Sequence, residues 1–203
     1  MSLITDVIKS TTAIIKGMSR TLSEIPREKW TVQYPDDPVT VVREILAVVP
    51  AAYVFLLRDA GFGRGSGTEV LLQLRHGTGY MDDHWAAAAA GHVERGETAE
   101  RAAHREALEE VGVSELELTF ATAMQRTARD LPIDERVDFF FTARHWIGEP
   151  RIVEPTKCAD LRWFALDALP DPVVPHERVV LDGLRRGDLP ALSQHGFDDD
   201  HLA

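Results

Sequence analysis

Apolar residues recur along this chain at two spacings, and the switches between them lay out its elements. Over residues 1–25 they fall at Ile4, Ile8, Ile15, Met18, Leu22 and Ile25, with Thr11 in the same register. Steps of four and three describe a helix with one apolar seam, which Pro26 stops. YPDDP (34–38) then reads as a linker. From Val39 the pattern becomes β-like. AAYVFLLRD (51–59), entered at Pro50, is a continuous apolar run expected of a buried strand, and TEVLLQLR (68–75) is a second. GFGRGSG (61–67) between them lacks GK[ST] and any clean GxGxxG before a helix, so it predicts a hairpin loop and not a phosphate cradle. LELTFATAMQRT (116–127), RVDFFFTARHW (136–146) and ADLRWFALDALP (159–170) predict three more strands, the last followed by a turn. HERVVLDGLRR (176–186) returns to a helical period, and QHGFDDDHLA (194–203) reads as an acidic tail. No internal repeat is evident, and strands and helices mix without strict βαβ alternation. The pattern alone gives α/β or α+β.

One stretch breaks the pattern of polar outside and apolar inside. In GHVERGETAERAAHREALEEVGV (91–113), Thr98 fits an N-cap, Glu100 the positive end of the helix dipole and Gly112 a C-terminal stop. Between them Ala99, Ala102, Ala103 and Ala107 form a stripe of small residues suited to close packing on a sheet. Glu106 and Glu110 project from within that stripe, and Glu109 from its edge. A solvated charged face is the ordinary reading of a charge run. It fits poorly here, because the opposite side already carries Arg101, His104 and Arg105. Three carboxylates at i, i+3 and i+4 repel one another and lose hydration on a half-buried face. A positive partner is therefore expected, and a hard divalent cation with oxygen ligands is the natural candidate.

Composition narrows the class. The chain has 203 residues, enough for one domain with an extension, and 44% are hydrophobic. A net charge of −11 argues against a nucleic-acid backbone as partner, while leaving room for a small phosphorylated ligand whose charge is offset locally. One cysteine, Cys158, excludes an internal disulfide and zinc-ligand spacing, as expected of a reducing compartment. Polar residues interrupt any signal-peptide core near the start, and the longest apolar run, 45–57, is too short to span a bilayer. A cytoplasmic protein without membrane contact is expected.

Gly91, Glu97, Arg105, Glu106, Glu109, Glu110 and Gly112, at these spacings and with Val113 after them, resemble the signature box of the Nudix hydrolases. Every fixed position is present, and Ala107 stands where an aliphatic residue, often larger, is usual. The resemblance implies a Nudix-type α/β/α sandwich with a mixed β-sheet, here with an N-terminal helical extension. The expected division is 1–38 for helix and linker, 39–190 for the Nudix domain and 191–203 for the acidic tail. It further implies Mg²⁺ or Mn²⁺ held by Glu106, Glu109 and Glu110, with Arg105 orienting the glutamates and Glu97 in the same polar network. Gly91 would allow close backbone approach, and the Ala90 carbonyl is a further candidate ligand. Glu135, in the loop before a strand, is the candidate for an additional carboxylate, with Asp134 and Asp138 competing.

Outside the box the signals are weaker. RHGTGYMDDHW (75–85) would border the substrate cleft, so Arg75 is a candidate for phosphate and Tyr80 for stacking on a base. Trp85, followed by five alanines, reads as core. His92 occupies a free position of the box, near where phosphate would lie. Cys158 has no paired histidine and reads as structural. The N-terminal helix has two readings, a homodimer contact or docking on its own domain. The activity implied is hydrolysis of a nucleoside diphosphate linked to a group X, by water, into a nucleoside monophosphate and phosphorylated X. The alternative is a Nudix-like module that senses a nucleotide without turning it over.

Overall fold

A computed structural model describes residues 48–61, 67–128 and 135–197. The expected N-terminal helix, the linker at 34–38, the start of the domain at Val39, most of GFGRGSG, Asp134 and the last residues of the acidic tail lie outside the described residues. Among the described residues eight strands and two helices follow in the order β1 (Val49–Asp59), β2 (Thr68–Arg75), β3 (Trp85–Ala87), β4 (Ala89–His92), α1 (Ala99–Val111), β5 (Leu118–Arg126), β6 (Arg136–Ala143), β7 (Cys158–Ala165), α2 (Pro175–Arg186) and β8 (Leu192–His195).

β1 organises the sheet. It pairs parallel with β6 along Val49–Leu56, antiparallel with β4 at Ala51–Val54 and antiparallel with β2 at Leu57–Asp59. The strand order is β3-β2-β1-β6-β5-β8, with β7 on β2 and β4 on β1, so the sheet is mixed, as expected. Alternate β1 residues feed two cores. Ala51, Tyr53, Phe55 and Leu57 pack with Phe140, Met124, Val180 and Leu181 on the α2 side. Ala52, Val54 and Leu56 pack with Ala102, Ala103, Ala107 and Val111 of α1 on the other. A helix on each face explains why β1 reads as an unbroken apolar run. Burying Phe55 or Phe140 stabilises the domain by roughly 1.5–3 kcal/mol each.

The α1 stripe of alanines lets the helix backbone lie close to the sheet. The Thr98 hydroxyl accepts from Arg101 N–H at 3.2 Å, and Gly112 ends the helix at φ 72° with its N–H on Ala107 and Leu108 carbonyls. Pro175 opens α2 where no amide donor is needed, and Gly187 closes it. One expectation needs correction. Residues 192–195, read as the beginning of a tail, form β8, which lies parallel to β5 with Ala123 opposite Leu192 and Arg126 opposite His195. No helix among the described residues is long and apolar enough to cross a membrane.

Candidate active site

Helix α1 packs beside β4, and this contact brings the box glutamates to the strand's backbone. Gly91 has no side chain because none would fit: a Cβ there would lie 1.9 Å from Glu106 Oε1. Glu110 reaches the neighbouring residue, its Oε2 accepting from Ala90 N–H at 3.0 Å and from Gln73 Nε2 at 3.1 Å. In an extended strand the N–H and C=O of one residue leave by the same edge, so the Ala90 carbonyl shares the edge that faces Glu110. Burial pushes the Glu110 carboxyl up to about 7, against the pull of those two donors, and Glu106 beside it adds to the rise. Burial raises Glu106 as well. Glu109 is more exposed, with 53% of its side chain accessible.

The positive partner that the carboxylates need is Arg105, and this corrects the expectation that it lies on the opposite side of the helix. Its Nε and Nη2 donate to the two oxygens of Glu97 at 3.1 and 3.0 Å, a bidentate contact that fixes the guanidinium plane. Nη1 then donates to Glu106 at 2.6 Å and Glu109 at 3.1 Å, while Nη2 also reaches the His92 carbonyl at 3.0 Å. Hydrogen bonds from Arg105 hold Glu97 below the usual carboxylate range. Glu97 is therefore tied to Arg105, and it also caps Glu94 N–H at 3.1 Å.

Whether these residues suit a divalent cation can be judged from the donors themselves. As placed, no three carboxylate, imidazole or thiol side chains among the described residues converge on one point. Arg105 draws Glu106 and Glu109 toward itself, and Gln73 with the Ala90 amide holds Glu110. The donor set nevertheless fits: carboxylates and a backbone carbonyl are hard oxygen ligands, Glu106 and Glu110 close on the backbone of Gly91 and Ala90 with Glu109 beside them on Arg105, and burial has stripped Glu106 and Glu110 of water. Glu135 sits just before β6, its carbonyl accepting from Val49 N–H at 3.5 Å. Asp138, its competitor, is fully buried and ion-paired with Arg126.

Beside the carboxylates opens a cavity of about 360 Å³, lined by residues that include Arg75, Tyr80, Ala90, Gly91 and His92. All four residues expected to meet substrate border it. Arg75 is partly committed, its Nε donating to Tyr80 O and its Nη2 to Thr78 Oγ1, both at 3.0 Å. Trp85 is buried edge-to-face against Phe164, a core residue as read. Cys158 is buried, its thiol donating to Asp160 O, and burial raises it out of the reactive range. Sequence reasoning missed Arg126, Arg136, His176 and Glu177, which also line the cavity. Arg136 Nη1 lies 2.8 Å from His92 Nε2.

The family model described as the NUDIX domain matches residues 48–184. No curated protein sequence matches the chain. Among solved structures, the MutT NUDIX hydrolase of Burkholderia pseudomallei is 29% identical, with a TM-score of 0.52 over 64% of this chain and 96% of that one. The MutT protein of Bacillus halodurans is 17% identical, with a TM-score of 0.56 over 77% and 95%. The NUDIX domain of Shewanella oneidensis NrtR, in complex with ADP ribose, is 16% identical, with a TM-score of 0.55 over 70% and 88%. The latter two likenesses concern the fold.

Proposed function

The chain belongs to the NUDIX domain family, and on that premise we propose that it is a metal-dependent pyrophosphohydrolase. It cleaves a nucleoside diphosphate linked to a group X into a nucleoside monophosphate and phosphorylated X. The observation that supports this best is the cradle at Gly91, where Glu106 and Glu110 close on a strand backbone that a single Cβ would block.

Glu106, Glu109, Glu110 and the Ala90 carbonyl would hold Mg²⁺ or Mn²⁺. Such a cation, when bound, screens phosphate charge and makes bound water more acidic. The chain's own residues supply the rest. Arg105, braced by Glu97, fixes the directions of Glu106 and Glu109 and leaves neither free to swing away. The proton of the attacking water passes to one of these two carboxylates. Arg75, Arg136 and His92 line the cavity that Gly91 also borders, and they would offer donors to the phosphates of a bound nucleotide.

The test is release of monophosphate from a broad panel of nucleoside diphosphate derivatives, each with Mg²⁺, with Mn²⁺ and with chelator. Metal-dependent turnover of one class supports the reading and names X. Absence of turnover across the panel, with tight nucleotide binding, would hand the site to the sensor alternative.

A further inference from the structure

Strand β2 places one polar side chain where its pattern calls for an apolar one. Val70, Leu71 and Leu72 are buried in the two cores, and Gln73 after them is buried as well, at 6% exposed. Successive strand residues alternate between the sheet faces, so Gln73 shares the α1 face with Leu71. A buried amide costs free energy unless it is hydrogen-bonded. Its partner comes from far along the chain: Gln73 Nε2 donates to Glu110 Oε2 at 3.1 Å. The core has no use for an amide at this position, and the carboxylate has.

Taken atom by atom, the hydrogen bonds of the three box glutamates share one pattern. Glu110 Oε2 accepts from both Gln73 Nε2 and Ala90 N–H. Glu106 Oε1 and Glu109 Oε2 both accept from Arg105 Nη1, at 2.6 and 3.1 Å. Among the described residues no donor is hydrogen-bonded to the other oxygen of any of the three. Each carboxylate therefore offers one oxygen and keeps the other engaged. That pattern selects among hard cations. Mg²⁺ is bound through one or two carboxylates and keeps several waters, whereas Ca²⁺ takes more oxygens and readily uses both of one carboxylate. A pinned carboxylate suits the first and handicaps the second. Arg105 pins two of the three. The third is held by the Ala90 amide and by Gln73, and two donors converging on one oxygen remove the rotation that a single hydrogen bond leaves.

We propose that Gln73 is a positioning residue of the carboxylate cradle: by holding Glu110 Oε2 it makes Glu110 a one-oxygen ligand, and so sets the cradle's preference for small divalent cations over Ca²⁺. The proposal rests on the metal-binding reading of the cradle, but not on turnover there. Gln73 acts through Glu110, as the outer partners of metal ligands do when they fix a ligand's direction.

The experiment is calorimetric titration of the full chain, without nucleotide, with Mg²⁺, Mn²⁺ and Ca²⁺ in turn. Gln73→Met keeps the length of the side chain and removes the donor. Affinity for Mg²⁺ and Mn²⁺ should fall about tenfold or more. Affinity for Ca²⁺, which gains the freed oxygen, should hold within about threefold. The preference therefore shifts toward Ca²⁺, a change that loss of core packing alone does not produce. Gln73→Asn, whose amide falls one methylene short, should shift it in the same direction. In a Glu110→Gln background, Gln73→Met should alter Mn²⁺ affinity by less than about twofold, because the two residues act as one unit. Unchanged affinities in both Gln73 variants overturn the proposal and leave the metal reading standing, and so does an equal loss for all three cations. A wild type that binds Ca²⁺ as tightly as Mg²⁺ overturns it even if neither variant folds. A wild type that binds none of the three overturns the metal reading, and this proposal with it.

Discussion

Glu177 offers a measurable test of how deeply the cavity floor is buried. Its carboxyl rises on folding from 4.5 to about 8, chiefly through burial, because a single amide, that of Ala87, cannot replace lost water. The folded chain therefore holds a proton that the unfolded chain gives up. The contribution of this group to stability is present in full below the unfolded value and is lost as pH rises toward the folded one. At about 1.4 kcal/mol per unit, the loss between pH 5 and pH 7 comes to roughly 2.5 kcal/mol. Other groups titrate in the same window. Glu110, raised to about 7, acts in the same direction, while His176, depressed by burial, acts in the opposite one. Glu177→Gln isolates the term, since glutamine keeps the shape and the acceptor for Ala87 but carries no titrating proton. Urea unfolding of both proteins at pH 5 and at pH 7 gives four stabilities. The wild type should lose about 2.5 kcal/mol more than the variant between the two pH values, with the shared contributions of Glu110 and His176 cancelling. Parallel losses, equal within about 0.5 kcal/mol, would show that Glu177 ionises normally and that the floor is wet.

Four further outcomes are expected. Glu109→Gln and Glu110→Gln should fold as the wild type does and lose most turnover at saturating Mg²⁺; near-normal rates in both would refute the ligand assignment. Gly91→Ala should force the Glu106 carboxylate off its contact with Arg105, so the melting temperature should fall modestly while the fold is kept in circular dichroism, and kcat should fall by up to about a hundredfold. Arg105→Lys cannot reproduce the fork to Glu97 together with contacts to Glu106 and Glu109, and metal affinity by titration should drop roughly 10- to 100-fold. Thr98→Ala removes the α1 cap and should cost about 1 kcal/mol in chemical denaturation with kcat nearly unchanged.

The carboxylate helix was legible because its information is local. Caps, alanine stripe and glutamate spacing all lie within one helix and the turn before it, and the positions of Glu106 and Glu110 against β4 follow from them. Even there, a helical wheel misplaces Arg105, since it ignores the length of a side chain that can reach back to Glu97 and across to Glu109. The cavity floor was not legible. Arg126 and Asp138 meet across β5 and β6, and His176 and Glu177 arrive from a helix far along the chain. In sequence Glu177 looks like an acid favouring the first turn of an amphipathic helix, and nothing nearby reveals that the turn is buried. β8 escaped for a related reason: four residues are too few to show an alternation, and the partner that makes them a strand is β5.

The parallel seam between β1 and β6 has a consequence for how the protein is made. Val49 pairs with Arg136 and Leu56 with Ala143, so the central strand must wait for a partner synthesised much later. The carboxylate helix leaves the ribosome in that interval, with its packing face still lacking a completed sheet. Contacts of such long range are slow to form, and the apolar run of β1 stays open to other chains until β6 appears. Yield of this protein from a translation system should therefore depend on the rate of elongation between β1 and the end of β6, residues 57–143, more steeply than on the rate after β6 is complete.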